Sequence, residues 1–290
     1  MKSRKSVLIT DLDNTLFDWF DMWYASNLAM YTKVSEISGV DLEILLPEVK
    51  AVHQKHGTAE YAFVLESLPS LQSKYGDRDS INGALDEAIY AFRSSRKKHL
   101  KLYPSVQATL STLKEKGVLI VAYTESKSYY TSFRLKKLGL DAYIDFLFSS
   151  EDHSLPEEVG KGTVIDLSQT QQYFTPKGEI KPNPKLLLDI IERVGAKVDD
   201  CVYIGDSEMK DIEMAQQAGV TDVFAKYGTS HFDTNKDGYE LLRAVTHWTD
   251  EDVERERKIK ESYHHIPPSH TVNEFSELLG IFDFKSFKEV

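Results

Sequence analysis

Four short apolar runs, at 7–9, 118–123, 144–148 and 201–204, break the polar background of the chain, with a weaker one at 222–225. None alternates apolar and polar residues with period two, the pattern of a strand with one wet face. Unbroken runs of this length predict strands buried on both faces, as in a parallel sheet covered by helices. Helical spacing fills the intervals. Leu110 and Leu113 precede Gly117, and Phe133, Leu135 and Leu138 stop at Gly139. Leu186, Leu187, Ile190, Ile191 and Val194 stop at Gly195, and Met214, Ala215 and Ala218 at Gly219. Glycine just beyond the last apolar position is a helix-stop signal. Alternating strands and helices predict an open α/β sheet.

The first and second strands are separated by residues 17–103, which read as helices over 17–31, 42–53, 59–68 and 81–100. A crossover between parallel strands needs only about a dozen residues. The segment is therefore expected to be an inserted helical domain, with 1–16 and 104–290 forming the sheet domain. Within the latter, 151–178 is polar and glycine-containing and reads as a long excursion with a small hairpin. The tail, 229–290, carries a charged helix over 250–261 and an amphipathic segment over 272–282. Trp19, Phe20, Trp23, Tyr24 and Tyr31 lie at helical spacing, the pattern of a packed core.

Composition narrows the class. The 290 residues carry 35 Lys and Arg against 46 Asp and Glu, a formal net charge of −11. That balance disfavours nucleic acid and anionic lipid as partners. At 41 % hydrophobic residues the chain is an ordinary globular protein. No apolar run approaches the about 18 residues of a membrane span, and the stretch at 7–9 is too short for a signal-peptide core. Cys201 is the single cysteine, so no internal disulfide forms. It sits in a predicted strand, where a buried, inert thiol is expected. A cytoplasmic location is the expectation. His53, His56, His264 and His265 have no metal-like set around them. Oligomeric state is not encoded in any pattern found.

Chemistry is expected at the carboxyl ends of the strands, where open α/β sheets bind their ligands. Asp11, Asp13 and Thr15 follow the first strand in DLDNT, Thr124 follows the second, and Gly205-Asp206-Ser207 with Asp211 follows the fourth. Brought to one sheet edge, Asp11, Asp13, Asp206 and Asp211 would repel one another unless a cation joined them. An all-oxygen set without His or Cys suits a hard cation such as Mg2+, which commonly accompanies phosphate. A phosphate beside these carboxylates also needs positive charge and donors. Lys181, in KPNP, is the candidate cation, and Thr124 and the turn N–H groups are candidate donors. Taken singly, each residue has a plain structural use, as a helix cap, a turn or a solvated side chain. Only the set points to chemistry.

DLDNT, Thr124, Lys181 and GDSEMKD, in that order, resemble the four motifs of the haloacid dehalogenase-like (HAD) hydrolase superfamily. The resemblance covers about 5–15 and 104–228. It implies a Rossmann-like three-layer sandwich with a parallel sheet, and it makes 17–103 a helical cap domain that closes over substrate. It implies that Asp11 is the nucleophile, forming an aspartyl-phosphate, and that Asp13 is the general acid and base. Thr124 would hydrogen-bond the phosphoryl oxygens, and Lys181 would neutralise Asp11 and the phosphate. Asp11, the backbone carbonyl of Asp13, Asp206 and Asp211 would hold Mg2+. The dehalogenases of the family lack the second aspartate, so Asp13 favours phosphate chemistry. The expected activity is magnesium-dependent hydrolysis of a small phosphorylated metabolite. A phosphomutase of the same superfamily and a non-catalytic binding scaffold are the alternatives.

Overall fold

A computed structural model of the chain describes residues 2–152, 165–263 and 266–289. The centre of the predicted excursion, 153–164, and the pair His264 and His265 lie outside the described residues.

Nine strands are present among the described residues: β1 (Ser3–Lys5), β2 (Val7–Thr10), β3 (Leu119–Lys127), β4 (Phe146–Ser150), β5 (Gln171–Phe174), β6 (Cys201–Gly205), β7 (Thr221–Ala225), β8 (His270–Val272) and β9 (Phe282–Phe284). Seven form one sheet in the order β5-β4-β3-β2-β6-β7-β8, and every pairing is parallel. The five apolar runs of the sequence supply β2, β3, β4, β6 and β7. All four side chains of β2 and all five residues of β6 are buried. On one face Val7, Ile9, Val121 and Tyr203 pack with Leu187, Ile190, Ile191, Met214 and Ala215 of two covering helices. The alternate positions Leu8, Ile120 and Val202 are equally buried, so the strands need no polar face.

The helix Pro184–Arg193 shows how the sequence writes such a layer. The Asn183 side chain accepts the Leu186 N–H at 2.9 Å, and Pro184 occupies the first turn, where its missing N–H costs nothing. Leu186, Leu187, Ile190 and Ile191 turn to the sheet, each burial contributing about 1.5–3 kcal/mol. Gly195, at φ 74°, reverses the chain while Ala196 N–H closes on the Ile191 carbonyl.

Two sheet elements depart from the expectation. Residues 171–174 form β5, a parallel edge strand on β4, and no hairpin is seen among the described residues of the excursion. The amphipathic segment at 272–282 is the end of β8, two short helical turns and the start of β9, which pairs parallel with β1.

The chain divides into two compact units. The first, 1–18, 102–230 and 263–290, contains all nine strands; the second, 19–101 and 231–262, is helical. The tail therefore does not stay wholly with the sheet, and 231–262 completes the helical unit. Trp23, Tyr31, Val34, Leu45, Val49, Leu71, Ile81, Leu85 and Ala88 form the helical core, and Val245 joins them, fully buried. The aromatic stripe is core, as its spacing implied: Phe20, Trp23 and Tyr31 are buried. The stretch 59–68 holds only a short turn at Leu65–Ser67, and the next helix, Pro69–Tyr75, starts on its proline. No described helix is long and apolar enough to cross a membrane.

Candidate active site

β2 and β6 lie side by side and end together, Thr10 opposite Ile204. The ladder runs one step further, Asp11 N–H donating to the Ile204 carbonyl at 2.9 Å, and this fixes Asp11 at the sheet's carboxyl edge. Beyond it the chain turns back. Asn14 takes φ 58°, a left-handed conformation that asparagine tolerates, and donates its N–H to the Phe17 carbonyl at 2.8 Å. Thr15 reaches back to donate its hydroxyl to Asp11 Oδ2 at 3.3 Å.

Asp206 and Asp211 come from the loop after β6. A π-helical turn at Glu208–Ile212 is capped by Ser207, whose hydroxyl accepts the Lys210 N–H. Ser207 N–H donates to Asp211 Oδ2 at 3.2 Å. Gly205 is required for this arrangement, because a Cβ there would lie 2.3 Å from Asp211 Cγ. Gly228 is required too, since its Cβ would meet the Asn14 carbonyl oxygen at 2.0 Å and Asp206 Cβ at 2.9 Å.

These turns gather carboxylate oxygens of Asp11, Asp206 and Asp211 within 4.8 Å of one another. Lys181, only 3 % exposed, donates to Asp11 Oδ1 at 2.6 Å and to Asp211 Oδ1 at 2.8 Å. Its ammonium lies 4.8 Å from the centre of the Tyr123 ring and 5.7 Å from that of Tyr203. The Tyr203 hydroxyl donates to Asp211 Oδ1 at 2.8 Å. Burial lifts the Asp11 carboxyl to about 7 against the pull of Lys181, with Asp211 and Asp13 adding to the rise. Burial, then Asp11 and Asp211, hold Asp206 well above the ordinary carboxylate range. Burial disfavours the Lys181 cation, but Asp11 and Asp211 more than offset it and keep the ammonium charged. Three carboxyl groups face one ammonium, so ionising all three leaves negative charge that Lys181 alone does not offset. The donor set, all oxygen and partly charge-unbalanced, fits a hard divalent cation.

Thr124 is buried in β3, two residues past Ala122, which pairs with Thr10, and so reaches the same edge. Its Oγ1 accepts the Ser126 N–H at 3.1 Å. Asp13 is handled differently from Asp11. Its carboxylate is not in the cluster of three; Ser126 donates to Oδ2 at 2.5 Å and Arg134 to Oδ1 at 3.1 Å.

Several residues of the site carry no motif. Glu125 accepts the Lys181 N–H at 2.8 Å and the Lys210 ammonium at 3.2 Å, tying three loops together. Its position after Thr124 at a strand end was the available signal. Tyr203 reads as core within its apolar strand, and Arg134 is hidden in a helical pattern between Phe133 and Leu135.

A model of the haloacid dehalogenase-like hydrolases matches residues 5–219. The chain belongs to this family. Among relatives of this HAD-like hydrolase is the glyceraldehyde 3-phosphate phosphatase of Methanopyrus kandleri, 28 % identical over 49 % of the chain and 50 % of the relative. The phosphoglycolate phosphatase of Nitrosococcus oceani is also 28 % identical, over 50 % of the chain and 52 % of the relative. The HAD-like chain thus spans about half the length of these curated relatives. A 2-haloacid dehalogenase from Pseudomonas syringae pv. Tomato DC3000 has the same fold, with a TM-score of 0.54 over 96 % of this chain and 97 % of that one, at 19 % identity.

Proposed function

We propose that the protein is a magnesium-dependent phosphomonoester hydrolase that works through an aspartyl-phosphate on Asp11. The observation that carries this reading is the junction of Asp11 with Lys181, Asp206 and Asp211 at the carboxyl edge of β2 and β6. Asp11 Oδ attacks phosphorus while the bond to the leaving oxygen breaks, and Asp13 gives that oxygen its proton. Asp13 then takes a proton from the water that hydrolyses the aspartyl ester. Thr124 donates to the phosphoryl oxygens, and Lys181 compensates charge on Asp11 and on the transferring group. Asp206, Asp211, Asp11 and the Asp13 carbonyl would hold the cation, which supplies further positive charge for the phosphoryl oxygens.

Asp13 supports phosphate over halide chemistry, since a halide leaves without a proton. Short phosphorylated metabolites, of the glyceraldehyde 3-phosphate and phosphoglycolate kind that the relatives are named for, are the first substrates to test. The helical unit, 19–101 with 231–262, is assigned the role of cap, selecting the leaving group and excluding water.

The purified chain, assayed with these metabolites and with aryl phosphates, is expected to release phosphate with added Mg2+ and to stop on chelation. Asp11→Asn is expected to abolish turnover, by about 10³-fold or more, while leaving the far-ultraviolet spectrum unchanged. Wild-type protein that releases no phosphate from any of these compounds, or an Asp11→Asn variant of near-normal activity, overturns the reading.

A further inference from the structure

Two aspartates stand two residues apart at the edge of one strand, yet they answer to different partners. Asp11 is bound to Lys181 and Thr15. Asp13 is bound to Ser126 and Arg134, which no sequence motif singles out. Ser126 comes from the end of β3 and Arg134 from the helix Ser128–Lys137, so both partners are fixed by one strand–helix turn.

Arg134 is unusually placed for an arginine. It is 3 % exposed, on a helix whose other buried residues are small or apolar: Ser128, Thr131, Ser132 and Leu135. Burying a guanidinium forfeits its hydration and is sustained by charge-assisted hydrogen bonds. One goes to Asp13 Oδ1. The guanidinium carbon also sits 5.9 Å from the centre of the Phe17 ring. Phe17 is buried at 1 % and closes the Asp13 loop, bridging Asp13 on one side and Leu102 on the other while its carbonyl accepts the Asn14 N–H. Arg134 therefore contacts both the carboxylate of Asp13 and the ring that shapes its loop. Ser126 occupies the second oxygen, so the carboxylate is held at both ends and its torsion is set.

We propose that Arg134 and Ser126 are positioning residues for Asp13, fixing the carboxyl group from which the leaving oxygen receives its proton. The inference rests on the phosphatase reading above. In the step concerned, the Asp11 Oδ–P bond forms, the P–O bond to the leaving group breaks, and the Asp13 proton passes to the departing oxygen. A leaving group stable as an anion needs little of that proton, whereas a basic one needs most of it. Loosening Asp13 is thus felt in proportion to leaving-group basicity.

The test compares phenyl phosphate with p-nitrophenyl phosphate, two esters of similar shape whose leaving groups differ in basicity. kcat/KM is read because it reports the steps through leaving-group departure. In Arg134→Met, kcat/KM for phenyl phosphate is expected to fall by about 10- to 100-fold, with a loss under about 3-fold for p-nitrophenyl phosphate. Arg134→Lys should recover part of the loss. Ser126→Ala, which removes only a hydroxyl, should show the same selectivity with a smaller loss and serves if Arg134→Met does not fold. Equal losses for both esters in Ser126→Ala and Arg134→Lys, or no loss for either, overturn the positioning role. If the wild-type protein hydrolyses neither ester or any other phosphate, the phosphatase reading itself has failed.

Discussion

At the carboxylate cluster, charge and burial oppose each other residue by residue. Asp11, Asp206 and Asp211 crowd within 4.8 Å, and Lys181 reaches Asp11 and Asp211. Asp206 has no such ion pair with Lys181 among the described contacts, and burial holds its carboxyl well above the ordinary range. An acid whose folded pKa is raised binds more protons folded than unfolded, so stability falls as pH rises through that range. Asp206→Asn, neutral and nearly isosteric, is therefore expected to stabilise the metal-free protein at pH 8, by about 1–2 kcal/mol. If the cluster holds Mg2+ as proposed, Mg2+ is expected to raise the melting temperature of the wild type, because a ligand that binds only the folded state stabilises it, and the same substitution should remove that rise. Thermal melts with chelator and with Mg2+ measure both effects. A variant that melts lower without metal and keeps the wild-type response to Mg2+ contradicts this account of the cluster.

Strands are delivered to the sheet by aspartates as well as by apolar runs. Asp145 accepts the Ile120 N–H at 2.9 Å, and Asp222 accepts the N–H and hydroxyl of Ser269 at 2.8 and 2.6 Å. Asp141 takes four hydrogen bonds at the entry to β5: the N–H and hydroxyl of Ser168 and the N–H groups of Gln169 and Thr170. Burial alone would raise the Asp141 carboxyl, but these donors outweigh it and hold it well below the usual range. β5 is an edge strand of four residues in which Tyr173 packs on Phe148 and the two glutamines bring no apolar side chain, so the anchor adds to a thin apolar contact. Asp141→Ala is expected to cost about 1–3 kcal/mol and to speed amide exchange at Gln171 and Thr175 well above the rate for β6. Gln171 N–H donates to the Asp145 carbonyl at 2.8 Å and Thr175 N–H to the Ser149 carbonyl at 2.9 Å, and unchanged exchange at these two amides rules the anchor out. The same strand shows what sequence pattern conveys. β2, β3, β4, β6 and β7 were legible because burial on both faces demands unbroken apolar runs. Gln171-Gln172-Tyr173-Phe174 was not, because its core contact is Tyr173 and the rest of its support is side-chain hydrogen bonding to its lead-in, which leaves no apolar run to read. The stretch 59–68 misled for the converse reason. Ala59, Val64, Leu65 and Leu68 are buried at near-helical intervals, yet only one short turn forms. Asp11, Asp206 and Asp211 were legible because strand ends announce the site. Tyr203 and Arg134 were not, since a strand tyrosine reads as core and a helix arginine as surface.

The helical unit is assembled from two stretches far apart in the chain, and its joint carries a titratable group. Val245, from 231–262, is buried in the core formed by 19–101, and its carbonyl meets His53 Nδ1 at 2.7 Å. His53 is 1 % exposed. Burial lowers its pKa to about 4, the Val245 carbonyl opposing, with His247 adding to the fall. The folded state therefore keeps the ring neutral where the unfolded chain, titrating near 6.5, has already taken a proton. Between about pH 6.5 and 4 the unfolded state binds more protons, so stability is full above that window and is lost as pH falls through it. The loss approaches about 3 kcal/mol at its lower end. All three tryptophans, Trp19, Trp23 and Trp248, belong to this unit, so their fluorescence reports its unfolding without interference from the sheet. Urea midpoints followed by tryptophan fluorescence are expected to fall steeply from pH 7 to pH 4.5. His53→Asn keeps a donor for the Val245 carbonyl but cannot be protonated in this range; it should start lower at pH 7 and flatten the slope. If the wild type and His53→Asn lose stability in parallel across that interval, His53 is not the group that ties the helical unit to pH.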